Sequence, residues 1–386
     1  MDLAEFRSAQ HGGCLMTEPT TARAAHAAPA PRPLLSVVIT CYNYARYVGI
    51  AIDSALAQTY PNVEVIVVDD GSTDPSADVI ARYGERVRAI RQANQGSIPA
   101  YNRGFAESRG ELVLFLDADD VAEPTLAQRV VDAWHDGCVK VQYDLKIIDA
   151  AGADLGRRFC HFDAGYDAAA VRRSFARSGT YLWPVTAGNV YGRRFLEAAG
   201  PLKVGIGPDG LLNTIAPAYG DVVTLQDCLA SYRLHGANMW SSNGLDLTRL
   251  PERIAARQRE LDELASHARG RGVSLPPGDP LDHELAFINY RLMALRLGQT
   301  YPGHERDSAR RLWRTGLRHL SSEPMSLKHR ALHATWISVL WLAPRPLAAA
   351  LIRLRFRRAE LLQPLRRRFA AWFGTRARRA TPEVKP

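Results

Sequence analysis

Short runs of apolar, largely β-branched residues punctuate the first third of the chain: SVVITC (36–41), VEVIVV (63–68), VRAI (87–90) and LVLFL (112–116). Runs that stay apolar at consecutive positions suit strands covered on both faces. The intervening stretches 45–58, 74–83 and 98–108 have helix length, and Asp74-Pro75 reads as an N-cap followed by proline at the first helical position. The order β-α-β-α-β-α-β predicts an α/β fold with a right-handed, mostly parallel sheet, helices on both faces, and ligands at the carboxyl ends of the strands. Further strands are expected near 139–147, 185–191 and 229–234, with helices near 193–199 and 209–218. From 247 the pattern is helical, at 247–268, 281–297, 303–319 and 326–342. Residues 1–33 carry small residues and prolines without an apolar period, the pattern of a disordered leader.

Composition narrows the class. The chain has 386 residues, of which 46% are hydrophobic and 23% charged, which excludes collagen-like, coiled-coil and wholly disordered readings and gives room for two domains. Its five cysteines, Cys14, Cys41, Cys138, Cys160 and Cys228, are scattered with no CxxC pair, so neither a disulfide framework nor a zinc site is expected. With no signal-peptide pattern and no N-x-Ser/Thr sequon, the expected compartment is the reducing cytoplasm. The net charge of +9 is unevenly placed. From Trp341 onward there are 12 Lys and Arg against 2 Asp and Glu, leaving 37 against 38 for residues 1–340. A neutral body speaks against nucleic acid and assigns the anionic partner to the tail.

Two acidic motifs fall at strand ends. In DDGSTD (69–74), Gly71 and Ser72 allow a tight turn, and Asp70 can accept hydrogen bonds from a ribose hydroxyl or a base N–H. The plain alternative is a strand-turn-helix junction in which Asp74 caps the next helix. In DADD (117–120), three carboxylates crowd within four residues, which is unfavourable unless a cation neutralises them; hard oxygen donors suit Mg²⁺ or Mn²⁺. Its alternative is a solvated acidic turn.

Taken in order, SVVITCYN, DSALAQTYPNVEVIVVDDGSTD, NQGSIPAYNRGFAESRGELVLFLDADD, AGNVYGRRFLEAAG and YRLHGAN resemble the family 2 glycosyltransferases over about residues 34–240. The resemblance implies the GT-A fold, a Rossmann-like α/β sheet, with a nucleotide-binding half (34–120) and an acceptor-binding half (121–240). A helical extension (241–325) and a basic amphipathic helical tail (326–386) would follow. It implies a donor that is a nucleotide-diphospho-sugar, taken here as a UDP-sugar, and an acceptor that is a saccharide or a lipid-linked precursor. By the same resemblance Thr40, Tyr42 and Asn43 cradle the nucleotide, Asp70 meets the base, and Asn94, Gly96 and Asn102 close over the donor. Asp119 ligates the metal, Asp117 is its partner at the ribose or at a metal-bound water, and His235 joins the metal or diphosphate.

For the general base the resemblance asks for an acidic pair before a helix about ninety residues past DADD. GIGPDGLLNTIAPAYG offers Asp209 alone, with Pro208 in the place of its partner. Asp209 is the expected base, with capping of the 209–218 helix as its alternative. The same stretch spells GxGxxG at Gly205, Gly207 and Gly210, but no strand leads into it and no βαβ unit surrounds it, so a dinucleotide site is set aside. Tyr181, Trp183 and Trp240 are candidate faces for sugar rings. A nucleotidyltransferase would want a phosphate loop after the first strand, which CYNYARYVG is not. A non-catalytic nucleotide-sugar-binding protein is the rival from another class.

The uncharged stretch 331–344, ALHATWISVLWLAP, is 14 residues long, short of the ~20 that span a bilayer. Leucines and aromatics then recur at three- and four-residue steps among arginines, a composition suited to a helix lying on an anionic cytoplasmic leaflet. The alternative is a helical layer packed on the protein itself.

Overall fold

The computed structural model describes residues 32–203, 205, 207–235, 246–322 and 326–356. Most of the expected leader, Trp240 and the chain beyond 356 lie outside them. The first half alternates as the pattern requires: β1 (Leu35–Cys41), α1 (Val48–Leu56), β2 (Val63–Asp69), α2 (Ser76–Ala81), β3 (Arg88–Arg91), α3 (Ser97–Glu107) and β4 (Leu112–Asp117). These strands pair in parallel in the order β3-β2-β1-β4, with Val37 opposite both Val65 and Leu114.

The sheet continues with strands of mixed direction. β5 (Val121–Ala122), α4 (Leu126–Ala133), β6 (Cys138–Ile148), β7 (Asp154–Arg158), α5 (Ala168–Ser178), β8 (Asn189–Gly192), α6 (Arg193–Ala199), α7 (Pro208–Ile215) and β9 (Asp221–Arg233) follow in the chain. β8 joins β4 antiparallel, β6 lies antiparallel to β8, β9 parallel to β6, and β5 closes the row, with β7 as a hairpin on β6. Alternate side chains of each strand enter different cores. Val38, Ile66, Val68 and Phe115 meet α3, α6 and α7, whereas Val37, Ile39, Val65 and Leu114 meet α1 and α4.

Several boundaries differ from the expectation. The strand expected at 185–191 opens as a 3-10 turn, Thr186–Gly188, before β8. β9 starts eight residues earlier than expected because its first half pairs with β6 while only half buried, a pattern with little apolar signal. α5 escaped the reading because only Val171 and Phe175 of its eleven residues are buried. Asp74 accepts from Ser76 N at 3.0 Å, and α2 begins at Ser76, one residue past Pro75.

α8 (Leu250–Gly270), α9 (Leu285–Leu297), α10 (Ala309–Ser322), α11 (Leu327–Leu342) and α12 (345–356) complete the described chain. Contacts place the described residues from 33 onward in one unit. Leu250, Ile288, Leu312, Ile337, Leu340 and Ile352 belong to the same buried cluster as Val38 and Phe115. The described part of the tail thus has one face packed on the protein, which is the alternative named for it above. No helix among the described residues is long and apolar enough to cross a membrane.

Candidate active site

Parallel register sets the carboxyl ends of β1, β2 and β4 side by side, with Cys41 opposite Asp69 and Thr40 opposite Asp117. The segments that leave the first two strands are laced together. Asn43 Oδ1 accepts from Thr73 N at 2.8 Å and Asp74 N at 3.3 Å, Ser72 Oγ from Asn43 N at 2.9 Å, and Asp74 from Ala45 N at 3.0 Å. Asn43 itself adopts φ of 60°, a left-handed conformation that asparagine tolerates. Gly71, at φ of 73°, passes so close to the neighbouring segment that a Cβ would lie 2.7 Å from Asn94 N. Asn43 is therefore committed to holding two loops in place, while Tyr42 beside it is 42% exposed.

Asp70 is almost fully buried at its strand tip. Its carboxylate accepts from Gln92 Nε2 at 2.7 Å, Gln95 N at 3.0 Å and Gly96 N at 2.8 Å, and Asn94 Oδ1 also accepts from Gly96 N at 3.1 Å. Asp70, Asn94 and Gly96 are thus brought together, with the carboxylate organising the loop that enters α3. Asn102 faces elsewhere: its amide pairs with Leu202 N and O at 2.8 and 2.9 Å, fastening α3 to the segment that precedes α7.

Each carboxylate of DADD has a different partner. Asp117 accepts from the buried Tyr101 hydroxyl, Asp119 Oδ2 lies 2.8 Å from His235 Nε2, and Asp120 Oδ1 accepts from Arg233 N at 3.0 Å. Tyr47 stacks on the His235 ring at 5.2 Å, and the Arg233 guanidinium lies over the same Tyr47 ring, 5.0 Å from its centroid. Burial, with the negative charge of Asp119 beside it, raises the Asp117 carboxyl to about 7 and drives Asp120 far above the usual carboxylate range. Among the described residues, Asp120 Oδ2 is buried with no hydrogen-bond partner. Hard carboxylates, an imidazole and an excess of like charge form a donor set that suits a divalent cation, and Asp119 with His235 is the pair that would hold it. Among the described residues, no group of three or more His, Cys, Asp or Glu side chains converges as a coordination shell.

Asp209 stands in the first turn of α7, where its Oδ1 accepts from Gly210 N at 2.9 Å. Burial raises its carboxyl above the usual range, with Lys140 acting in the opposite sense. Its charge also bears on Tyr101 and Asp117, as the last and weakest of the influences on each. Behind it lies a group that the sequence reading missed. Lys140, wholly buried, donates to Gln142 Oε1 at 2.9 Å, to the Tyr181 hydroxyl at 3.0 Å and to Asn213 Oδ1, one turn along α7 from Asp209. Burial drives its ammonium pKa well below the ordinary lysine value. Glu260 of α8 occupies the space beside Gly210 and is held by Arg257 at 2.7 Å. A single buried lysine in an apolar strand gives no sequence signal for such partners.

A groove of about 1090 Å³ runs between the 161–183 segment and the start of α9, lined among others by Tyr166, Arg173, Tyr181, Trp183 and Glu284. Two contacts lead from its floor toward Asp209. The Tyr181 hydroxyl touches Lys140, and the Arg257 guanidinium, 4.9 Å above the Trp183 ring, reaches both Glu260 and Glu284.

Residues 36–185 match the family described as Glycosyl transferase family 2. An uncharacterized glycosyltransferase of Nostoc sp. (strain PCC 7120) is 41% identical over 213 residues, covering 53% of this chain and 66% of that protein. EpsJ, an uncharacterized glycosyltransferase of Bacillus subtilis (strain 168), is 36% identical over 103 residues, 26% of this chain and 30% of its own length. The chain thus spans less than two thirds of the length of either relative. Among solved structures, residues 1–349 of S. aureus TarS in complex with UDP-GlcNAc superpose with a TM-score of 0.51 at 15% identity, over 80% of this chain and 87% of that one. That likeness is one of fold, and the fold is GT-A.

Proposed function

We propose, from the match of residues 36–185 to family 2 of the glycosyltransferases, an inverting transferase that moves a sugar from a UDP-sugar to an acceptor hydroxyl. The observation that carries the reading is the carboxylate rim at the carboxyl ends of the parallel strands, where Tyr101 meets Asp117 and His235 meets Asp119. A relative of the same fold bound to UDP-GlcNAc supports the donor class. In this reading residues 34–120 form the donor half and 121–240 the acceptor half. Thr40, Tyr42 and the Asp70-organised loop hold the nucleotide, and Asp117 serves its ribose.

Asp209 accepts the proton of the acceptor hydroxyl as its oxygen attacks the anomeric carbon; the bond to the diphosphate breaks and UDP leaves. A carboxyl lifted by burial is a stronger proton acceptor than an exposed one. When bound, Mg²⁺ or Mn²⁺ stabilises charge on the departing diphosphate. Asp119 and His235 hold that ion. The acceptor, a saccharide or lipid-linked precursor, lies in the groove floored by Trp183, and the basic tail keeps the enzyme at the cytoplasmic face of the membrane.

The test is Asp209→Asn, which keeps size and the first-turn position. Titration with UDP and Mn²⁺ should give affinity within about twofold of the parent, while turnover of UDP-N-acetylglucosamine falls by about 10² or more. Undiminished turnover would leave Asp209 a helix-end residue and overturn the assignment.

A further inference from the structure

α11 and α12 are buried on one side only. Ile337, Leu340, Ala348 and Ile352 are at most 1% exposed in the common core, whereas Leu332, Leu342, Leu347 and Leu354 on the same helices are 58%, 70%, 52% and 52% exposed. Leu332, Val339 and Leu342 recur at steps that keep them on one side of α11, and Leu347 and Leu354 do the same on α12. The inward faces hold the helices firmly. Trp341 stacks on Trp313 at 3.9 Å, Trp336 donates to Asn289 at 2.9 Å, and Arg355 lies 4.3 Å over Trp336. The outward leucines are therefore fixed features of the folded surface, and adjacent exposed leucines at this level mark a contact surface.

Charge identifies the occupant. Exposed Arg353 stands beside Leu354 on the outward side of α12, and the sequence from Trp341 onward carries 12 Lys and Arg against 2 Asp and Glu. A protein partner could match either feature, but a surface that is apolar in its centre, cationic at its edge and followed by a chain segment of the same two chemistries matches an anionic lipid surface. We propose that the outward face of α11 and α12 is the docking surface for an anionic bilayer, seating its leucines among the acyl chains and its arginines at the phosphates. This names the surface for the membrane placement under Proposed function, on which it rests. It places the contact on helices whose other face completes the core, so the catalytic unit itself, and not a loose tail, meets the lipid.

The experiment uses full-length protein and vesicles of phosphatidylglycerol and phosphatidylcholine, compared with phosphatidylcholine alone. The wild type should sediment with the anionic vesicles only. Leu332→Glu/Leu342→Glu/Leu347→Glu should reduce that binding by at least tenfold, with an unchanged melting temperature and unchanged hydrolysis of UDP-N-acetylglucosamine. Should the glutamates lower the melting temperature, serine at the same positions must give the same loss of binding. Equal sedimentation of variant and wild type overturns the proposal, as does absence of wild-type binding. A wild-type dimer that the substitutions convert to monomer without affecting vesicle binding also overturns it, by making a second copy the occupant. Absence of wild-type hydrolysis with binding intact would count against the catalytic reading alone.

Discussion

At the scale of single residues, the carboxylates of this rim divide their labour by what surrounds them. Asp70 spends three hydrogen bonds on the 92–96 loop, Asp120 receives Arg233 N and stays buried, and Asp119 meets His235. The motif DADD announced crowded charge in the sequence, yet the partner of each carboxylate came from segments 16 to 116 residues away. Asp119→Ala should weaken Mn²⁺-dependent UDP binding by about 100-fold or more, since it removes the carboxylate that pairs with His235, while Asp120 still ties the turn after β4 to Arg233 of β9. Calorimetric titration in the presence and absence of EDTA measures it. Affinity that neither the substitution nor EDTA alters would rule out the metal role.

At the scale of elements, α3 lies so close to the sheet that a Cβ at Gly104 would stand 2.2 Å from Val38 Cγ1. Gly104→Ala should cost about 1–3 kcal/mol through overpacking, seen as a lower urea midpoint with an unchanged slope. Lys140 offers a second measurement. Its folded pKa lies below the ordinary lysine value, so the unfolded chain binds more protons and this residue makes stability rise with pH toward the lysine range. Lys140→Met should flatten the increase in melting temperature between about pH 7 and about pH 9. A slope equal to the parent's would show that Lys140 stays charged in the fold. Neither feature was legible in advance: Gly104 reads as an indifferent helix residue and Lys140 as an ordinary polar position in a strand, because both acquire their meaning from what packs across them.

At the scale of the whole molecule, the helical extension is clamped by one buried arginine. Arg291 donates to Asp279 at 2.9 Å, Asp282 at 2.9 Å and Asp307 at 2.7 and 2.8 Å, and its side chain is 3% exposed. Arg291→Met would remove the donor that Asp279, Asp282 and Asp307 share, while Arg311 stays on Asp282 and Asp307, and should cost about 1.5–3 kcal/mol. Because the extension shares its core with β1, β2 and β4, the loss should shift one cooperative transition, followed in parallel by tryptophan fluorescence and circular dichroism. Separate transitions would make the extension an independent domain.

The sequence by itself determined the βαβ alternation to residue 117, the carboxylates at the strand ends and the basic end of the chain, because these rest on local periodicity and on residue order. Tertiary structure decided which distant side chains meet: His235 with Asp119, Lys140 with Asn213 and Tyr181, Arg257 with Trp183 and Glu260. It also divided the apolar positions of the last helices, sending Ile337 and Leu340 inward and leaving Leu332 and Leu342 outside. Hydrophobicity states that a side chain favours leaving water, but the direction in which it does so depends on a surface that only the folded chain supplies.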